Sequence, residues 1–286
     1  MSTEPFIRSN PAQEAPEVLR SRMAEQRYLF LPALIEHEAI RQARQDILTI
    51  CARAGWLAPG TNPDDAIAAP GVRYVAGQAE FNAVYSEIQK LESFHALAHQ
   101  QGILDIVRVI VEDNVLVHPR NIARVIFPEN TTFTTPAHQD FIHIKGTADT
   151  YTCWFPLGDC PPELGGLAIM AESHPEGVLP HIPALGAGGK GIVTEPLPYH
   201  WVASPLQMGD ALLFHSHTVH KGLDNVTADR LRLSVDFRYQ GASAAVHPSS
   251  LLPHHGQLTW DDIYAGWQSK QYQYYWRGLA ANVTAS

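Results

Sequence analysis

A mainly β fold, a sandwich or jelly-roll barrel with helices on its flank, is predicted by this sequence on three observations. From residue 114 onward, short β-rich runs follow one another with turn residues between them. They are NVLVH at 114–118, NIARVIF at 121–127, FIHIK at 141–145, YTCWFPL at 151–157, GLAIM at 166–170, ALLFHSH at 211–217 and RLRLSVDFRY at 230–239. Many short strands at this spacing are the mark of a β-sandwich or barrel, and jelly rolls of the cupin type are built this way. Before residue 114 the apolar spacing is helical instead. The 286 residues, 45% hydrophobic and 17% charged, suit one large β domain with added helices and supply a sizeable core. No internal repeat or linker divides the chain, so a single domain is expected over 1–286.

Taken in order, residues 1–20 are polar and Pro-containing and read as a loose tail. Tyr28-Leu29-Phe30-Leu31 suits a short strand. A helical flank follows within 28–112. Pro32 opens a helix to about residue 54, with Leu34, Ile40, Ala43, Ile47, Ile50 and Ala54 at helical spacing and Gly55 as its stop. Residues 56–77 are a Pro- and Gly-rich loop. A second helix is predicted over 79–99 from Phe81, Val84, Ile88, Leu91 and Phe94, and a short third over 105–111. The jelly-roll core spans 114–240, interrupted by a long segment at 172–205 with many Pro and Gly residues and little period. Segments of that length in compact domains are usually functional, and this one is expected to be a lid. Tyr199 and Trp201 within it either cover a substrate or simply pack. The Gly-rich stretch at 186–191 lacks the spacing and the Ser or Thr of a phosphate loop. An aromatic helical segment is expected over 256–280.

Composition excludes several classes. The net charge is −9 and no run of Lys or Arg occurs, so no nucleic-acid partner is expected. No stretch reaches the roughly 18 apolar residues of a membrane span, and the amino terminus has no apolar signal core. Three cysteines, Cys51, Cys153 and Cys160, form no CxxC pair; their sparse, odd number argues against a disulfide framework or structural zinc and fits a cytoplasmic protein. The sequence is silent on oligomeric state.

The chemistry-bearing pattern is His138-Gln139-Asp140, followed much later by His220 and then Arg232-Leu233-Ser234. On a strand, residues two apart point the same way, so His138 and Asp140 share a face. A His from a distant strand completes two imidazoles and a carboxylate on one side of a metal. That arrangement leaves positions open and marks non-haem Fe(II) oxygenases. His215, His217 and His220 compete for the third place. His220 is preferred, because it directly precedes Lys221-Gly222, where a strand would end at a barrel mouth. An H-x-D triplet alone carries little weight in a chain with 15 His, and a His at a strand end is more often hydrogen-bonded than metal-bound. His143, at an odd offset from Asp140, is expected on the opposite face.

In 230–239, Arg230, Arg232, Ser234, Asp236 and Arg238 alternate with apolar residues, which is a strand with one polar face. Arg232 and Ser234 can meet one carboxylate, the Arg through its fork and the Ser through its hydroxyl. Arg230 lies nearer the turn and is held in reserve. The competing reading is a surface strand laced with ion pairs among Arg230, Asp236 and Arg238. Arg124 faces either the lumen or solvent.

With PAHQD at 136–140, YTCWFPLGD at 151–159, ELGGLAIMAESH at 163–174, MGDALLFHSHTVHKGLDN at 208–225 and RLRLS at 230–234, the chain resembles the phytanoyl-CoA dioxygenase family from about Tyr28 to Tyr239. The resemblance implies a double-stranded β-helix and Fe(II)/2-oxoglutarate-dependent oxygenase activity. It implies His138, Asp140 and His220 as iron ligands, Arg232 with Ser234 on the distal carboxylate of 2-oxoglutarate, and Trp154 beside the cosubstrate. It also implies dioxygen and a small-molecule substrate as partners, with 2-oxoglutarate leaving as succinate and carbon dioxide. Related halogenases carry a small residue in place of the carboxylate ligand, so Asp140 implies hydroxylation. The alternatives are a non-catalytic cupin-like metal-binding protein and a metal-dependent hydrolase; the latter has no need of the R-x-S strand.

Overall fold

A computed structural model describes residues 3–173, 177–279 and 282–284. The helices are α1 (Pro16–Gln26), α2 (His37–Arg53), α3 (Ala79–Gln89), α4 (Glu92–Ala96), α5 (Gln101–Val111), α6 (Phe141–Ile144) and α7 (Trp260–Tyr264). The strands are β1 (Tyr28–Leu31), β2 (Val115–Val117), β3 (Ile122–Ile126), β4 (Thr150–Pro156), β5 (Leu167–Met170), β6 (Ile182–Pro183), β7 (Lys190–Gly191), β8 (Trp201–Val202), β9 (Ala211–His215), β10 (His220–Gly222) and β11 (Arg232–Gly241). All strand pairs are antiparallel.

The large sheet runs β1-β9-β4-β11-β2, with β3 also on β11, and the small one runs β10-β5-β8. Alternation in the central strands builds two layers. Leu233, Val235, Phe237 and Tyr239 of β11, with Cys153 and Phe155 of β4, join the core shared with α2, α3 and α5. Tyr28, Phe30, Leu212, Phe214 and Trp154, on the other face of the same sheet, pack against Leu167, Ile169 and Val202 of the small sheet. Fully burying each such side chain contributes about 1.5–3 kcal/mol. Arg232, Ser234, Asp236 and Arg238 therefore sit between the layers, and all four are buried. The predicted mainly β architecture is the one observed, and the surface-strand reading of 230–239 is overturned, because both faces of β11 are covered.

Several expectations need correction. Residues 3–26 are not a loose tail. Glu4 bridges Val202 and Arg8 bridges Phe30, which ties the segment to both sheets. Phe6 lies buried between Tyr28 and Phe30, its ring centroid 5.5 Å from each, and α1 begins at Pro16. The first flanking helix starts at His37 rather than Pro32, because Ala33 turns (φ 50°) with its N–H held 3.0 Å from Asp210 Oδ1. The 79–99 segment breaks at Leu91, which is extended, and His95 Nε2 donates 2.9 Å to the Gln89 carbonyl that the break leaves free. FIHIK is the single helical turn α6 instead of a strand. Among its described residues, the 256–280 segment forms α7 and a short 3-10 turn instead of one continuous helix, packed through Trp260, Tyr264 and Trp276. The 172–205 segment contributes β8 to the small sheet and the short β6–β7 hairpin. Trp201 is buried in the wall, with Lys221 Nζ 4.2 Å above its ring.

Candidate metal centre and cosubstrate site

His138 and His220 form an isolated antiparallel bridge, in which each backbone N–H reaches the other's carbonyl at 2.9 and 3.0 Å. His138 thus extends the small sheet beyond β10. The chain then turns into α6, so Asp140 enters from a helix start and not from a continuous strand. One ligating atom from each of His138, Asp140 and His220 lies within 4.8 Å of the others. The Asp140 Oδ1 oxygen sits 3.7 Å from His138 Nε2 and 3.9 Å from His220 Nε2, too far for hydrogen bonds and wide enough to seat an ion. Each ring is aimed by its other nitrogen: His138 Nδ1 donates 2.8 Å to the Pro136 carbonyl and His220 Nδ1 donates 3.0 Å to that of Thr218. Those bonds leave both Nε2 lone pairs free for a metal. The donor set, two neutral imidazoles and a carboxylate on one side, fits Fe(II).

The carboxylate belongs to a buried chain of charges that the sequence did not reveal. Thr152 donates to Asp140 Oδ2 at 2.5 Å, and Arg238 Nη2 lies 3.3 Å from both Asp140 oxygens. Arg238 is also 3.1 Å from Asp236, which Arg124 grips bidentately at 2.8 and 2.7 Å. Arg124 therefore faces inward. Burial alone would raise the Asp140 pKa, but the Arg238 guanidinium overrides it and holds the carboxyl well below its usual range. Burial pushes His220 down to about 3, so its ring stays neutral.

A second group lies beside the triad. Arg232, also buried, donates through Nη1 to the carbonyls of Gly165 (2.6 Å) and Gly166 (3.0 Å), and its guanidinium carbon is 5.9 Å from the Trp154 ring. Only glycine fits at 165, where φ is 74° and a Cβ would lie 2.4 Å from the Leu223 and Asp224 carbonyls. Arg232 Nε and Ser234 Oγ are buried without a partner, a pattern that asks for an acceptor. Arg232, Trp154 and the three triad residues line one cavity. Arg230 does not join them: it lies exposed ahead of β11, its backbone bridged to Ile67.

A wider cavity of about 630 Å³ opens from His138 and Asp140. His143 lines it, contrary to the expectation from strand parity, because the helical turn brings residue i+3 round to the side of Asp140. Its Nε2 is buried and unpartnered. Gly186 and Gly188 of the β6–β7 hairpin line the same space. The hairpin segment is tied down by Gln139, whose side chain bonds the carbonyls of Gly177 and His217 (both 2.7 Å) and the Leu179 N–H (2.9 Å). His215 and His217, the rival third ligands, sit together, and neither joins the cluster of His138, Asp140 and His220. His174 of the Ser-His dipeptide lies outside the described residues.

Residues 25–233 match the family model of phytanoyl-CoA dioxygenase (PhyH). Among curated proteins, the chain is similar to the 1-deoxypentalenic acid 11-beta-hydroxylases of Streptomyces arenae (27% identical, 85% of this chain and 87% of the relative) and Streptomyces exfoliatus (24%, 87% and 89%). Among solved structures it resembles the non-heme alpha ketoglutarate dependent epimerase SnoN (22% identical, TM-score 0.57, 84% of this chain and 87% of that one) and the carbocyclase SnoK (21%, 0.56, 85% and 90%), both from nogalamycin biosynthesis. At that identity the two structures speak for the fold, a double-stranded β-helix. By the match to its model across most of its length, the chain belongs to the phytanoyl-CoA dioxygenase family.

Proposed function

We propose that this Fe(II)/2-oxoglutarate-dependent oxygenase hydroxylates an unactivated C–H bond of a small metabolite, with His138, Asp140 and His220 as its iron ligands. The observation that carries the reading is the convergence of those three side chains beside a buried arginine that no carboxylate of the described residues neutralises. Arg232 and Ser234 hold the distal carboxylate of 2-oxoglutarate, and Trp154 forms the wall next to it. When bound, iron with 2-oxoglutarate and dioxygen supplies the oxidising power, and 2-oxoglutarate leaves as succinate and carbon dioxide. Thr152 holds Asp140 Oδ2 while Arg238 lies against both oxygens, which fixes the carboxylate with Oδ1 turned to the metal. The hydrophobic pair Trp154 and Phe214 keeps water from the inner end of the cavity. Two curated relatives that bear the name hydroxylase support hydroxylation as the outcome. Three buried, unbridged cysteines support a reducing compartment, the cytoplasm.

The test is anaerobic addition of Fe(II) and 2-oxoglutarate, followed in the visible region, with succinate measured after oxygen is admitted. Wild type gives a weak charge-transfer band, and His138→Ala and His220→Ala do not. A band that survives in either variant, or none in wild type, overturns the assignment.

A further inference from the structure

The 630 Å³ cavity carries more positive charge than its walls neutralise. Three arginines line it: Arg120, Arg124 and Arg238. Arg124 is committed to Asp236, and Arg238 to Asp140 and Asp236. Arg120 is different. Among the described residues it makes no ion pair, and its buried Nε has no hydrogen-bond partner. Among the described residues Asp140 is the only acidic one in the lining, and it already serves the metal site. This occurs in a chain whose net charge is −9.

Topology explains the placement. Strand β11 pairs with β2 at its C-terminal end and with β3 further back. Residues 118–121 bridge the gap between those two partners, anchored by the His118 N–H on the Arg238 carbonyl at 2.8 Å. Arg120 is thereby fixed on the cavity wall next to the stretch of β11 that carries Arg238. The charged group acting on it is another cation, Arg238, and among the described residues no carboxylate pairs with it. His254 accepts at Nδ1 from the Tyr85 hydroxyl (2.7 Å), which itself accepts from Gln89. Burial holds His118 down at about 4 and lowers His254 and His255, so these rings are neutral. Asn130, Thr135, His143 and Ser250 also line it, but Phe81, Ile122, Val125, Ile126 and Ile144 give much of the wall an apolar surface, and Phe133 and Leu185, 44% and 66% exposed, stand at it with faces that a bound molecule would cover.

We propose that Arg120 anchors the carboxylate of a compact, otherwise apolar monoanionic substrate and so sets which of its C–H bonds faces the metal. This rests on the oxygenase reading above and adds the substrate class. One cation without a counter-ion matches one negative charge, and the planar fork of arginine matches a carboxylate. A doubly charged phosphate would meet only one free cation here.

The experiment compares adamantane-1-carboxylate with adamantane-1-methanol, an apolar body with and without the charge. Binding is measured by calorimetry, anaerobically, with Fe(II) and saturating 2-oxoglutarate, then again with both omitted. Wild type binds the acid at least tenfold more tightly than the alcohol in both conditions. Arg120→Gln loses that preference while keeping its affinity for the alcohol, Arg120→Lys restores part of it, and Arg232→Gln keeps it. Equal binding of acid and alcohol by wild type overturns the proposal, as does an unchanged preference in Arg120→Gln or a preference lost in Arg232→Gln. If Arg120→Gln binds neither compound, the Lys variant decides, and no acid preference there overturns it as well. The preference measured without iron stands or falls independently of the charge-transfer band, so failure of this assignment is separable from failure of the metal assignment.

Discussion

Replacing Arg238 with Gln removes the one cation that Asp140 and Asp236 share. Its Nη2 lies 3.3 Å from both Asp140 oxygens and 3.1 Å from Asp236. At an effective dielectric of 20, one such pair is worth about 5 kcal/mol, and breaking a buried pair from one side typically costs about 3–5 kcal/mol. Asp236 keeps both contacts to Arg124, so the loss falls on Asp140, whose remaining donor is Thr152. The metal-free variant is therefore expected to lose about 3–5 kcal/mol, which in a chain of this size lowers Tm by about 6–20 °C. A bound divalent cation restores the missing positive charge, so the variant gains more from metal than the wild type does. The assay is calorimetric unfolding in chelator and again in Mn(II), which substitutes for Fe(II) without oxidation. A metal-free Tm within about 2 °C of wild type, or a Mn(II) gain no larger than that of wild type, refutes the linkage between this guanidinium and the ligand carboxylate.

Two further outcomes follow from the same geometry. Arg232→Gln raises KM for 2-oxoglutarate by about tenfold to a hundredfold, the loss of one buried charge-assisted pair, while Ser234→Ala raises it by only a few fold; steady-state kinetics with varied 2-oxoglutarate read both, and an unchanged KM in Arg232→Gln refutes the anchor. Stability falls in mild acid: burial holds His95 and His118 down at about 4, against an unfolded value of about 6.5. Between those limits the unfolded chain binds more protons, so stability is lost as pH falls from about 6.5 toward 4, at up to about 1.4 kcal/mol per pH unit for each ring. Equal Tm values at about pH 7.5 and pH 5 would contradict this.

The legible part of the site was the part written in residue order. His138 and Asp140 drew attention through parity, yet the reason was only half right, since α6 follows where a strand was expected. That same turn reversed the placement of His143. Asp236 and Arg238 were visible as polar strand residues, but their partners depend on cross-strand register: Asp236 stands opposite Trp154, and Arg238 opposite Thr152. Register is a property of the assembled sheet, and no local pattern encodes it. Arg230 stays in reserve behind Arg232 for a related reason, because only the observed start of β11 at Arg232 divides the lumen from solvent. The amino-terminal segment failed differently. Of the adjacent apolar pair Phe6-Ile7 only Phe6 is buried, and one buried ring in a short polar stretch leaves no period to detect.

The reciprocal main-chain bonds between His138 and His220 have a consequence for how the enzyme is loaded. The spacing of the two imidazoles is set by the ladder itself, before any ion arrives, so the empty scaffold already offers its chelating edge. A rigid, pre-spaced chelator of nitrogen and oxygen follows the general affinity series of divalent transition metals, in which iron ranks low and copper, nickel and zinc rank above it. Which ion occupies the protein is then decided by the supply around it during maturation, and purified material is expected to arrive carrying whatever its host made most available.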